Sequence, residues 1–282
     1  MVIERDHLGV PHIIGERDVD AAFGFAYAQA EDNWQIIHDT IPFYRGTNAA
    51  INGQDAATVD FLIQWLEIWE TVDANYDSAL KPETHSWINA FVDGINYYAA
   101  LHPEQTNQSI FPITGKDVIA GYMLRHLLFY GFDGSITELF EEQRQHPISR
   151  GPADANKQAE PMAGVTIGNL PVGSNAIAVS APFTIDGATR LAINSHQPTT
   201  GPVAWYEAHI QSNEGLDILG GLFPRRATIG VGFTENLAWG ATVNKPDLVD
   251  IYVLDMDPND PMRYKLDGEW KTLETKDIKI KV

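Results

Sequence analysis

Hydrophobic spacing in this chain of 282 residues changes once, across a Gly- and Pro-rich stretch, and that change limits the folds available to it. Before the stretch, Phe23, Tyr27, Ala30, Trp34 and Ile37 recur at intervals of three and four, which stacks them on one helix face. The spacing predicts a helix over 19–48, preceded by short apolar starts at Val2-Ile3 and His12-Ile13-Ile14. Trp87, Phe91, Ile95 and Tyr98 form a second stripe, and 56–79 and 115–130 also favour helix. Beyond the stretch, SNAIAVS, TRLAIN, DILGGLF, ATIGVGF, LAWGATV and DIYVLDM are short runs of β-formers punctuated by Gly, Pro, Asn and Asp. Residues 277–282 alternate as a strand does, and the chain then stops without a terminating turn, which reads as an incomplete protein.

The stretch itself, 151–173, has seven Gly or Pro among 23 residues and no aromatic, the composition of a functional loop or linker. The expected fold class is therefore α+β. A helical region occupies 1–150, a linker 151–173, and a β-rich region 174–282.

Composition narrows the functions. Thirty-eight acidic against nineteen basic residues give a formal charge of −19, with no basic stripe to offset it, so no nucleic-acid partner is expected. The absence of cysteine removes disulfides, thiolate nucleophiles and thiolate metal sites together. No run reaches eighteen apolar residues, so no membrane span is expected. The start lacks a basic segment followed by an apolar one, so any secretion signal is missing or already removed. HExxH, GxSxG and GxxxxGK[ST] are all absent, and Gly230-Val231-Gly232 lacks the rest of a dinucleotide fingerprint. No organic cofactor is expected.

The informative point is Val172-Gly173-Ser174-Asn175, where the linker ends and an apolar strand begins. Cleavage before Ser174 would leave its new α-amino group within reach of its own hydroxyl. A free α-amine has a pKa of about 7.7–8.0 and is partly neutral near pH 7, so it can act as the general base. Ser174 would then be a nucleophile that needs no His–Asp pair. Gly173 suits the cut, since a residue without Cβ tolerates the strained backbone that exposes its carbonyl.

With these residues in view, the chain resembles the penicillin acylase family of N-terminal-nucleophile hydrolases, in its acyl-homoserine lactone acylase and aculeacin acylase branch. VIERDHLGVPHI and DAAFGFAYAQAEDNWQI look like the opening of the family's small subunit, and GSNAIAVS looks like its maturation site. NSHQP (194–198), IGVGFTENLAWGATV (229–243) and DLVDIY (247–252) follow in the family's order. The resemblance implies an αββα sandwich with a helical small-subunit region, autoproteolysis between Gly173 and Ser174, and hydrolysis of a linear acyl amide. Ser174 matches the nucleophile and amine base, and His196 matches a His near the nucleophile. Val243 matches a backbone N–H donor to the tetrahedral oxyanion, a role open to almost any side chain. Asn175 more plausibly holds the start of the strand.

The resemblance also implies structural calcium, with Glu138, Asp247, the Val249 carbonyl and Asp250 as ligands. These are the hard oxygen donors that calcium takes. The family's second oxyanion donor, an Asn, and an Arg near the site match nothing in these 282 residues. The expected partners are a small-molecule acyl amide and the remainder of the large subunit, and the expected location is periplasmic or secreted. The alternative is a fragment or divergent relative that keeps the fold, never matures, and serves as a binding or structural module.

Overall fold

The computed structural model of the chain describes residues 1–129, 132, 173–201, 203–242, 250 and 252–282. Two strands, β1 (Val2–Arg5) and β2 (Pro11–Gly15), precede α1 (Asp18–Arg45). The Asp20 carboxylate closes the first turn of α1 by accepting from the Arg17 backbone N–H at 3.1 Å. Gly46, at φ 65°, ends the helix in the left-handed conformation that glycine adopts without strain. Three helices follow: α2 (Ala49–Asn52), α3 (Ala57–Trp65) and α4 (Ile68–Ala79). The expected single segment 56–79 is thus two helices, because Glu67 sits at φ 53°, which an α-helix does not admit. Helices α5 (Pro82–Leu101) and α6 (Gly115–Phe129) complete the helical part.

The α5 stripe is buried at Phe91, Ile95 and Tyr98. On α1 the stripe is buried at Ala30, Trp34 and Ile37, whereas Phe23 and Tyr27 lie half-buried against Tyr97 of α5. Phe25, fully buried, reaches deeper and meets Phe91 with ring centroids 5.8 Å apart. Gly94 permits this approach: a side chain there would run into the Phe23 carbonyl oxygen.

The β part comprises β3 (Gly173–Val179), β4 (Arg190–His196), β5 (Tyr206–Ser212), β6 (Asp217–Leu222), β7 (Val231–Phe233), β8 (Ala238–Trp239), β9 (Asp255–Asp257), β10 (Asp260–Leu266) and β11 (Glu269–Thr272). The α+β expectation holds. Strands form a six-stranded sheet in the order β1-β2-β5-β6-β7-β8, a three-stranded sheet β11-β10-β9, and the ribbon β3-β4. The large sheet is antiparallel except between β2 and β5, where His12 pairs with His209 and Ile13 with Ile210. Ile13, Ala208, Ile210 and Leu222 face the helices and share one core with Phe25, Ile37, Phe91 and Ile95. On the opposite face, the two imidazoles meet Nδ1 to Nδ1 at 2.9 Å, and His209 Nε2 lies 2.8 Å from Asp217.

Residues 277–282 are not a strand. Their segment runs along α3 and α4, where Lys276 Nζ meets Glu70 at 2.6 Å and Gln64 donates to the Lys279 carbonyl at 3.3 Å. Alternation alone makes no strand when no partner strand lies alongside. The expected linker 151–173 falls outside the described residues except for Gly173, which already belongs to β3. Among the described residues, no helix is long and apolar enough to cross a membrane.

A buried ion pair ties the end of α1 to the start of α6. The Asp117 side chain is 2% exposed, accepts from Arg45 Nε and from Nη2 at 3.0 Å, and accepts from the Thr114 N–H at 2.8 Å. Burial pushes this carboxyl up, but the hydrogen bonds and charge of Arg45, with the Thr114 N–H and Arg225, outweigh it and hold it below its ordinary value. Because the folded-state value is the lower one, the stabilisation is present above the unfolded value of about 3.9. It is lost as pH falls through the depressed value. Asp117→Asn should cost about 3–5 kcal/mol at neutral pH and flatten the acid side of the Tm–pH profile. Thermal melts of both proteins check this, and an unchanged acid limb in the variant would contradict it.

Candidate active site

Ser174 is the second residue of β3, and the chain runs through Gly173 and Ser174 as one continuous strand. Pairing with β4 sets Gly173 opposite His196, Ser174 opposite Ser195, and Asn175 opposite Asn194. Residues directly opposed in an antiparallel pair share a face, so Ser174 and Ser195 lie together, with Ile193 and Leu191 continuing that face along β4. Ser174 is half-buried there. His196 lies one position on and therefore projects from the other face. Its Nε2 sits 3.4 Å from Asn175 Nδ2 and 3.4 Å from Asn194 Nδ2. The ribbon thus brings His196 and Ser174 to neighbouring register positions but groups His196 with the two Asn side chains. Just beyond β4, Gln197 holds a buried carbonyl oxygen, Oε1, with no hydrogen-bond partner among the described residues.

The Ser174 face of the ribbon lies over the side of the large sheet that the helices leave open. Between them is a cleft of about 740 Å³. Leu191, Ile193 and Ser195 form one wall, and Trp205, Phe233, Leu237 and Trp239 give the other an apolar, aromatic lining. Glu207, Gly221 and Val231, in register across β5, β6 and β7, floor it. Trp205 packs at a 38° tilt against Phe223 with centroids 4.8 Å apart, and the Trp239 indole N–H donates to the Gly230 carbonyl at 3.0 Å. Tyr206 borders the cleft, but its side chain lies on the helix-facing side with Ala208 and Ile210 and donates to Asp32 of α1 at 2.8 Å, while Arg5 holds Asp32 at 2.9 Å. Burial, then Asp32, pushes the Tyr206 phenol far above its ordinary value, so it stays a neutral donor. The aromatic wall suits an apolar tail, while Glu207 and Glu235 disfavour an anionic one.

Val243, Glu138, Asp247 and Val249 lie outside the described residues, and Asp250 is exposed. Among the described residues, no three His, Cys, Asp or Glu side chains converge as a metal site. Sequence reasoning missed Trp205: a lone Trp between a turn and a strand carries no periodic signal. Phe233, Leu237 and Trp239 lie inside the motif IGVGFTENLAWGATV, but nothing in the spacing marks them as a cleft wall.

The chain matches the penicillin amidase family over residues 1–282, and it belongs to that family. Among curated relatives, it is 28% identical over 296 residues to the acyl-homoserine lactone acylase PvdQ of Pseudomonas fluorescens (strain Pf0-1), covering 99% of this chain and 38% of the relative. It is 24% identical over 306 residues to the aculeacin-A acylase of Actinoplanes utahensis, with the same two shares. The chain thus spans 38% of the length of these relatives. Among solved structures, a thermostable penicillin G acylase from Alcaligenes faecalis is 19% identical, with a TM-score of 0.36, over 54% of this chain and 97% of that one. That overall likeness is too low for the fold to be read from it.

The seat of the ribbon depends on Gly240, where a side chain would collide with Ile193 Cδ1 and Cγ1. Gly240→Val should force Ile193 out and cost about 1–3 kcal/mol. Adding Ile193→Ala should recover part of that loss, because the two sites share one contact. Thermal or denaturant unfolding of the single and double variants measures the coupling, and strictly additive losses would show that the contact does not seat the ribbon.

Proposed function

We propose that this chain carries the nucleophile and part of the acyl cleft of a self-processing amidohydrolase, with Ser174 as the nucleophile. The observation that carries the reading is the register of Ser174 opposite Ser195, which lines an aromatic cleft although Ser174 itself is not among its lining residues, in a chain of the penicillin amidase family. In maturation, Ser174 Oγ attacks the Gly173 carbonyl carbon, the C–N bond breaks, and the acyl group of Gly173 passes to the oxygen. The Ser174 nitrogen takes the hydroxyl proton and is left as a free α-amine. Water then hydrolyses the ester to a Gly173 carboxylate and the free Ser174 hydroxyl. In turnover the α-amine takes the hydroxyl proton as Oγ attacks an amide, and the amine product leaves with that proton. Water then releases the acid from the acyl-enzyme. Val243, through its backbone N–H, would be one oxyanion donor, and each such donor lowers the barrier by about 3–4 kcal/mol.

The relatives' names point to acyl-homoserine lactones and aculeacin-A as substrates of those proteins. For this chain the aromatic cleft favours an amide with an apolar acyl group. His196, held by Asn175 and Asn194, would organise the end of the ribbon rather than take the Ser174 proton. Ile177 and Phe183, exposed on and just beyond the ribbon at 62% and 83%, give the remainder of the large subunit a surface to cover. Calcium would be held by Glu138, Asp247, the Val249 carbonyl and Asp250, an all-oxygen donor set with three carboxylates, and would tie the two regions together without taking part in the chemistry. A periplasmic or secreted setting fits the same reading.

Intact mass and amide turnover of the full-length gene product test this proposal. The wild type should appear as two pieces divided between Gly173 and Ser174 and should hydrolyse an acyl amide. Ser174→Ala should remain a single chain with turnover reduced at least about 1000-fold. Ser174→Cys should still cut, because a thiol makes the same attack. A Ser174→Ala protein that still divides there, or still turns over, would overturn the assignment. A wild type that stays intact and inert would favour the non-maturing binding module.

A further inference from the structure

Two adjacent arginines follow β6 where the chain turns under the helices, and neither lies on the protein surface in the usual way. Arg225 is only 4% exposed and sits at φ 68°, a conformation that is costly for a residue with a side chain. The turn is gripped from α1 by Gln29, fully buried, which accepts from the Arg225 N–H at 2.8 Å and donates to the Arg226 carbonyl at 3.1 Å. It is gripped again by Trp87 of α5, donating to the Ala227 carbonyl at 2.6 Å, and by the Tyr122 hydroxyl of α6, accepting from the Ala227 N–H at 3.2 Å. These contacts fix the backbone of the turn, and with it the points from which the two arginine side chains start.

The charge there is not matched. The Arg225 guanidinium lies 4.5 Å from the Tyr44 ring and donates from Nη2 to the Asp117 carbonyl at 3.2 Å and from Nη1 to Thr40 at 3.4 Å. Arg226 rests against the rings of Tyr122 and Phe223, at 5.6 Å and 5.4 Å. Arg125 completes the cluster, donating to the Tyr44 hydroxyl at 2.9 Å and to the Pro224 carbonyl at 3.5 Å. Among the described residues the carboxylate nearby is Asp117, which already spends both oxygens on Arg45 and Thr114. Arg225, Arg226, Arg125, Tyr44 and Tyr122 line a small, partly open pocket with room for about one water-sized guest. The Nε–H groups of Arg225 and Arg226 are both buried and have no partner among the described residues.

We propose that this pocket is a binding site for one monovalent anion of halide size, chloride being the abundant candidate, held by the Nε–H groups of Arg225 and Arg226. Water would satisfy the two donors but would leave three guanidinium groups around a low-dielectric pocket without a counter-charge. An anion satisfies the donors and the charge together, and a pocket this small suits a halide better than phosphate, sulfate or a carboxylate. Burial of Arg225 lowers its pKa to about 10, with Tyr44 and Asp117 opposing that shift, so the group is still charged at neutral pH. The loaded turn would also steady the cleft, because Phe223 packs between Arg226 and Trp205.

The test is the thermal stability of the intact protein in sodium chloride against sodium gluconate at matched ionic strength. Matching removes general screening from the comparison. A guest that binds only the folded form should raise Tm by about 2 °C for each tenfold rise in chloride above the dissociation constant, and bromide should substitute for it. Chloride-35 NMR on the same sample should show a line broadened by the protein and narrowed by competing bromide. Arg226→Met, the less buried of the two positions, should abolish both effects. Equal Tm values in chloride and gluconate with no line broadening would overturn the proposal, and that result needs no variant to fold.

Discussion

The parallel pairing of β2 with β5 joins the first fifteen residues of the chain to a strand two hundred residues later, and the rest of the architecture hangs on it. It places Ile13 beside Ile210, both essentially without exposure, and seals them under α1 with Phe25. The helical layer and the β-rich layer therefore share one core. A covalent break between Gly173 and Ser174 would leave that pairing and that core intact. Non-covalent contact between two pieces of a divided chain is then sufficient to keep the cleft assembled, a condition that any self-cutting mechanism must meet.

Polar contacts of unusual depth fix how the layers meet. The turn after β6 is held from three helices by Gln29, Trp87 and Tyr122, while Arg45 and Asp117 lock α1 to α6 beneath it. Each of these groups would be costly to bury alone, and each is satisfied by a partner on a different element. Such contacts specify one arrangement of helices over sheet, which apolar packing by itself does less sharply. The cleft inherits this order: its floor is the far side of the same strands, and Trp205 stands on Phe223 at the end of the same turn.

Much of this was legible in the sequence because it depends on local periodicity. The stripe through Phe91, Ile95 and Tyr98 is a buried helix face, and the runs around Ser174, Leu191 and Ile218 are strands. The proposal of Ser174 as nucleophile rests on chemistry that needs only a Gly-Ser junction at the mouth of a strand. What local pattern does not encode is partnership. The N-terminal strands carried only a faint apolar signal, and their parallel match to β5 is a long-range event. Residues 277–282 alternate but meet helices, so they form no strand. Arg225 and Arg226 read as surface charge, and only their tertiary surroundings make them interior. His196 was grouped with Ser174 by resemblance, whereas strand alternation places it among Asn175 and Asn194.

The central claim is that Ser174 itself forms the covalent acyl intermediate. Its most direct test is to quench the full-length gene product during turnover of a slowly deacylated acyl amide and locate the added mass by tandem mass spectrometry. The account predicts one acyl group on Ser174, at the amino terminus of a piece that begins with that residue. An acyl group on any other side chain, or turnover with a piece that does not begin at Ser174, would contradict it.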